Sequence, residues 1–269
     1  MNQPEVGVRV GILHSLTGTM ALSEMPLRDA ALMAIAEINA SGGVLGRMIE
    51  PVIADGASDP ATFAVKIQKM IEQDQVATVF GCWTSASRKA VLPVVEACNR
   101  LLWYPLQYEG LECSRNIFYT GCCPNQQVET AVTWLLQNKG SRFYLLGSDY
   151  IFSLTVDKLI SAQLKQQGGS VVGKDYVMLG TQSFEEIIRH IQQIKPDIVF
   201  NTLNGDSNVL FYRQYQAAGM RADDIPILGV SLAEVELQQI GGCSHRALCQ
   251  LDLLPELRYP CKPGVCPEL

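Results

Sequence analysis

The residues Gly81-Cys82-Trp83-Thr84-Ser85 lie between the apolar run 76–80 and the helical stretch 85–97, so a strand gives way to a helix on hydroxyl residues. Three kinds of chemistry suit such a junction. Cys82 is a candidate thiol nucleophile, the free N–H groups opening the helix are an anion cradle, and the same groups can hold an uncharged carbonyl in a cleft. A nucleophile needs a base and an oxyanion hole. Glu109 and His14 are the candidate bases; of the other histidines, His190 falls inside a helical pattern. The thiol also reads as a small apolar residue ending a buried strand.

In an open α/β sheet, ligands sit at the carboxyl ends of the strands. The residues there are His14, Ser15, Thr17, Asp55 and Ser58, then Trp83, Thr84, Ser85 and Ser87, then Tyr104, Gln107, Tyr108 and Glu109. The second half adds Ser148, Asp149, Tyr150, Thr202, Asn204, Asp206, Ser231 and Glu234. Arg88 and Lys89 come later, on the 85–97 helix, so no cation falls at a strand end. An anionic ligand would want arginine. The set instead suits a small neutral or cationic nitrogen compound, its carbonyl on helix N–H groups and its N–H groups on carboxylate and amide oxygens. Each residue has a plainer reading too: Ser85 and Asp206 as helix caps, and Trp83, Tyr104, Tyr108 and Tyr150 as core aromatics.

The elements that position these residues alternate. Strand patterns at 8–13, 49–54, 76–80, 101–106 and 117–119 enclose helical ones at 27–40, 60–73 and 85–97. The pattern restarts near 125, with helices at 126–138, 154–167, 183–194, 207–218 and 232–240 and strands at 142–146, 171–179, 198–200 and 227–230. This is an α/β chain of mostly parallel sheets with helices on both faces. We divide it into a lobe 1–121, a second, incomplete lobe 122–242 and a tail 243–269, with the cleft between lobes as the binding place. The tail holds Cys243, Cys249, Cys261 and Cys266 with four prolines and no sustained period, so nothing in it reads as completing a sheet.

With 269 residues, 48% hydrophobic, the chain can bury a sizeable core. A formal charge of −6 with no basic cluster argues against nucleic acid. Nine cysteines without a C-x-x-C read as thiols, not as a metal site, and no cofactor is expected. The N-terminus shows no basic and apolar leader pattern.

The stretches Val10–Met20, Asp55–Asp59, Gly81–Ser85, Tyr104-Pro105-Leu106-Gln107-Tyr108-Glu109-Gly110, Pro124–Gln127, Gly147–Tyr150 and Asn201–Asn208 resemble the urea and short-chain-amide receptors. These belong to the branched-chain amino-acid-type solute-binding proteins of ABC transporters, and Gln107 with Asn204–Asn208 looks most like the urea receptors. The resemblance runs from about Val8 to about Gly241. It implies the two-lobed type I periplasmic-binding-protein fold, closure on urea or a short amide, hand-over to a membrane permease, a bacterial nitrogen-assimilation role and no catalysis. It implies a pocket of Trp83, Thr84, Ser85, Tyr104, Gln107, Tyr108, Tyr150, Asn204 and Asp206. It implies a periplasmic location, or a cytoplasmic one if Met1 is the natural start. Relatives continue beyond Ser231–Glu234 and return to the first lobe; the tail replaces that portion, so the 27–40 and 232–240 helices and their sheets are expected to lack cover. A cytosolic amide-sensing regulator and a Cys82-dependent amidase are the alternatives.

Overall fold

The computed structural model describes residues 7–240 and the strand 248–249. Two parallel five-stranded sheets carry the fold. The first contains β1 (Val8–His14), β2 (Ile49–Asp55), β3 (Thr78–Gly81), β4 (Leu101–Tyr104) and β5 (Ile117–Tyr119) in the order β2-β1-β3-β4-β5. The second contains β6 (Arg142–Ser148), β7 (Ser170–Val177), β8 (Ile198–Thr202), β9 (Ile227–Gly229) and β10 (Leu248–Cys249) in the order β10-β9-β8-β6-β7. Helices α1 (Ala21–Ala40), α2 (Pro60–Glu72) and α3 (Ser85–Ala97) connect the first set. Helices α4 (Val128–Asn138), α5 (Ile151–Gln167), α6 (Glu185–Ile194), α7 (Asp206–Ala217) and α8 (Glu234–Ile240) serve the second. The chain is a two-lobed α/β protein, as its periodicity predicts.

Local chemistry sets the boundaries. Asp59 caps α2 by accepting from the Thr62 N–H, with Pro60 at the first helical position, where its missing N–H is harmless. Gly168 ends α5 in the left-handed conformation, as the double glycine predicts. Two expectations fail. The helix expected from Leu27 begins at Ala21 and runs through Pro26, which forgoes only the hydrogen bond to the residue four earlier. The tail does add to a sheet: Leu248–Cys249 pairs with Leu228–Gly229, a contact too short to leave a period in the sequence. The rest of 243–269 lies outside the described residues.

The strands β6, β8 and β9 of sheet two are buried on both faces, which is why they carry apolar runs, whereas the edge strand β7 is only part-buried and mixed in sequence. Phe143, Leu145, Ile198 and Phe200 pack under α4 and α5; Tyr144, Leu146, Val199 and Ile227 pack under α6 and α7. One carboxylate is misplaced in this scheme. Asp157 of α5 is 1% exposed; its neighbour is the Tyr176 hydroxyl of β7, but neither oxygen makes a hydrogen bond of good geometry. Sheet one packs Leu13, Val79, Leu102 and Ile117 against α2 and α3. On its other face Phe80, Trp103 and Phe118, register neighbours on β3, β4 and β5, form a stacked aromatic ladder with centroids 5.7 and 4.2 Å apart. Phe80 and Phe118 are exposed there, as are Met33 and Ile38 of α1. The short α8 is better covered: its Ile240 is buried, and it packs on α7 and on α1 of the other lobe.

Candidate functional site: the cleft at the strand ends

The opening junction is built by a close approach. A side chain at Gly81 would put its Cβ 2.2 Å from the Leu13 carbonyl oxygen, so only glycine lets β3 end against β1. Cys82 follows with φ of 65° and donates its N–H to the same oxygen. The helix cap is then Thr84, not Ser85: its Oγ1 accepts from the Ser87 N–H at 3.0 Å. Ser85 becomes the first residue of α3, and its hydroxyl is released from capping. Cys82 itself is fully buried; burial, then the charge of Glu24, pushes its thiol far above the ordinary range. A buried thiol held in its neutral form is a poor nucleophile, which argues against the amidase reading.

The sequence places no cation at a strand end; the structure places one. Arg88 is the fourth residue of α3 and fully buried. Its Nη1 donates to Ser85 Oγ (3.0 Å), its Nη2 to Glu109 Oε2 (2.8 Å) and its Nε to Glu112 Oε1 (2.7 Å). Its guanidinium lies over Tyr104, Tyr108 and Tyr119 at 4.8, 5.3 and 5.9 Å. Lys89 adds a bond to Glu112 at 2.6 Å. Burial opposes ionisation of Glu112, but Arg88 and Lys89 outweigh it and hold its carboxyl at about 2. Two cations thus face two carboxylates, and the cluster is neutral.

The remaining expected residues divide by role. Tyr104 is buried, and its hydroxyl donates to the Trp83 and Gln107 carbonyls, tying the β3 and β4 loops together. Tyr108 stacks on Tyr119 at 4.5 Å; the Cys123 thiol beside it, then burial, pushes its hydroxyl up to about 12. Gln107 crosses to lobe two, its amide donating to the Val230 carbonyl (3.0 Å) and Ser231 Oγ (3.3 Å). In lobe two, Asn204 Nδ2 donates to the Tyr150 hydroxyl at 2.8 Å. Burial, then Tyr104 and the charge of Glu109, push that hydroxyl well up. Asp206 is exposed; its N–H donates to the Thr19 carbonyl of lobe one, and desolvation raises its carboxyl.

Sequence reasoning missed the first turn of α1, which supplies one contact between the lobes. Glu24, in the unforeseen first turn of α1, accepts from the Ser15 N–H at 2.7 Å and is buried beside His14. Next to it Ser23 Oγ donates to Glu236 Oε1 of α8 at 2.5 Å, both residues being buried. Within lobe one, Asp55 and Ser58, which the sequence did place at a strand end, tie down the loop after β1: Asp55 accepts from Leu16, Thr17 and Ala57, and Ser58 bonds Thr17 and Met20. Burial raises the Asp55 carboxyl, but these bonds outweigh it and hold it below the ordinary value. Among the described residues no cluster of His, Cys, Asp and Glu could hold a metal ion, and no helix is long and apolar enough to cross a membrane.

The model of the periplasmic binding protein domain family matches residues 8–246. The chain belongs to that family. The Leu/Ile/Val-binding protein homolog 3 of Brucella melitensis is 25% identical over 242 residues, covering 87% of this chain and 64% of the relative. The Leu/Ile/Val-binding protein of Escherichia coli K12 is 24% identical over 245 residues, covering 90% and 66%. The chain thus spans just under two thirds of the length of these curated relatives. Among solved structures, a branched-chain amino acid transporter substrate-binding protein from Streptococcus pneumoniae, in complex with isoleucine, superposes with a TM-score of 0.77 at 21% identity, covering 87% of this chain and 67% of that one. A solute-binding protein of an ABC transporter from R. palustris, in complex with 4-hydroxybenzoate, gives 0.74 at 22% identity over 84% and 62%. At such identities these likenesses establish the periplasmic-binding-protein fold.

Proposed function

We propose that this periplasmic binding protein chain is the receptor part of an ABC transporter. It captures a small uncharged solute bearing N–H groups, urea or a short amide, between its lobes and presents it to a membrane permease from the periplasm. One observation carries the reading. Arg88 is committed to Ser85, Glu109 and Glu112, while two buried acceptors on the side chains bonded to Arg88 and Tyr150, Glu109 Oε1 and Asn204 Oδ1, have no partner. An N–H-bearing ligand satisfies them; a carboxylate would meet them with more lone pairs. The Tyr150 hydroxyl, which accepts from Asn204, keeps its own hydrogen for a ligand oxygen. The walls are Trp83, Tyr104 and Tyr108.

A second reading, an aliphatic amino acid, is favoured by the names of the relatives. The N-terminus of α3, with the Ser85 and Ala86 N–H groups left over from the Thr84 cap, is a place for its carboxylate. Calorimetric titration with urea, acetamide and leucine separates the two. Heat with urea or acetamide and none with leucine is expected. Leucine binding without urea or acetamide binding overturns the first reading in favour of the second.

A further inference from the structure

Glu109 lies outside the residue set that resemblance marks as the pocket, in a loop between β4 and β5. It is 7% exposed, and its two carboxylate oxygens are treated differently. Oε2 takes the Arg88 Nη2 at 2.8 Å; Oε1 is buried with no hydrogen-bond partner. Leaving a buried carboxylate oxygen unpaired is expensive, and such an atom calls for a missing donor. Its surroundings say where the donor comes from. Arg88 ties Glu109 to Ser85 at the head of α3, and Gln107, two residues before Glu109, reaches Val230 of the other lobe. The second orphan acceptor, Asn204 Oδ1, belongs to the side chain bonded to Tyr150.

We propose that Glu109 sets ligand specificity in this cleft, accepting an N–H of the ligand through Oε1 while Arg88 fixes it in position through Oε2. Arg88 is a positioning residue. One planar guanidinium, itself clamped by Glu112 and three tyrosine rings, fixes both Ser85 and Glu109, so neither side chain is free to turn away. The inference rests on the receptor reading above and narrows it. With one acceptor in each lobe, the favoured ligand carries N–H groups on two sides of its carbonyl. Urea has that arrangement. Acetamide has N–H on one side only and leaves one acceptor unpaired.

The test is calorimetric titration of the full chain with urea and acetamide, for wild type, Glu109→Gln and Arg88→Lys, with melting curves to confirm folding. Wild type should prefer urea by about tenfold or more, the equivalent of one lost hydrogen bond. In Glu109→Gln, whose amide turns a donor towards the ligand, the preference should fall to within about threefold. Arg88→Lys cannot hold Ser85, Glu109 and Glu112 together, so it should lose the preference as well. A purely structural role would weaken both ligands alike and keep their ratio. If Glu109→Gln does not fold, Arg88→Lys decides. Equal wild-type affinity for urea and acetamide, or an unchanged ratio in a folded variant, overturns the proposal. If wild type binds neither compound, the receptor reading itself has failed first.

Discussion

Asp157→Asn should make the protein more stable at neutral pH and leave it unchanged near pH 4. Burial raises the Asp157 carboxyl from 3.8 to about 6; the Tyr176 hydroxyl and the Lys174 ammonium on β7 offset that only in part. Below about pH 4 the group is protonated both folded and unfolded, and it costs nothing. Between about 4 and 6 the unfolded chain releases the proton while the folded chain keeps it, so stability falls as pH rises. Above about 6 the loss levels off at roughly 3 kcal/mol, taking about 1.4 kcal/mol per tenfold. Asparagine keeps the shape without the charge, and burial of its own amide returns part of the gain. A net stabilisation of about 1–3 kcal/mol at pH 7.5 is expected, raising Tm by about 2–4 °C per kcal/mol for a chain of this size. Circular-dichroism melts at pH 4, 5, 6 and 7.5 measure it, with guanidinium chloride as the supporting denaturant because urea is a proposed ligand. A variant equally stabilised at every pH, or less stable at 7.5, would refute the reasoning.

Two further outcomes follow from the lobe contacts and the buried thiol. Ser23→Ala removes the donor to Glu236 across the lobes. Water replaces that donor in the open form but not in the closed one, so titration should show ligand affinity reduced by about tenfold; unchanged affinity would mean that α1 and α8 do not help closure. Cys82→Ala should leave affinity within a few-fold and release no ammonia from urea or acetamide, wild type being equally inactive; a turnover lost in the variant would reinstate the nucleophile.

Both lobes, and the caps of α2 and α5, were legible because each rests on a local signal: an apolar period, a Pro after an Asp, a pair of glycines. Arg88 was misread for a geometric reason. Three residues past Ser85, it lies on the same helix face, and side chains on a helix lean towards its N-terminus. A long side chain one turn into α3 thus reaches the strand end that its position in the sequence appears to pass. Glu109 was read as a strand-end residue and a candidate base, but its pairing with Arg88, 21 residues earlier, is encoded by no local pattern. Ser23 and Glu24 were lost because the helix was read as starting at Leu27, after Pro26, whereas α1 begins at Ala21. Gln107 was read as a pocket residue, yet its amide is spent on the Val230 carbonyl, a partner 123 residues away that no local pattern encodes.

The three tryptophans sit in three different settings, and this makes the protein optically legible. Trp83 is buried at the cleft, its carbonyl braced by Tyr104, whereas Trp103 lies in the aromatic ladder with its Nε1 bonded to Thr78 Oγ1, and Trp134 lies on α4 of the second lobe. Separation of the lobes hydrates the first indole and leaves the other two in place. Emission from Trp83 therefore shifts to the red on opening and back to the blue on capture, over a constant background from the others. Replacing Trp103 and Trp134 by phenylalanine isolates that signal, so the rate of lobe closure can be timed by stopped flow without attaching a dye.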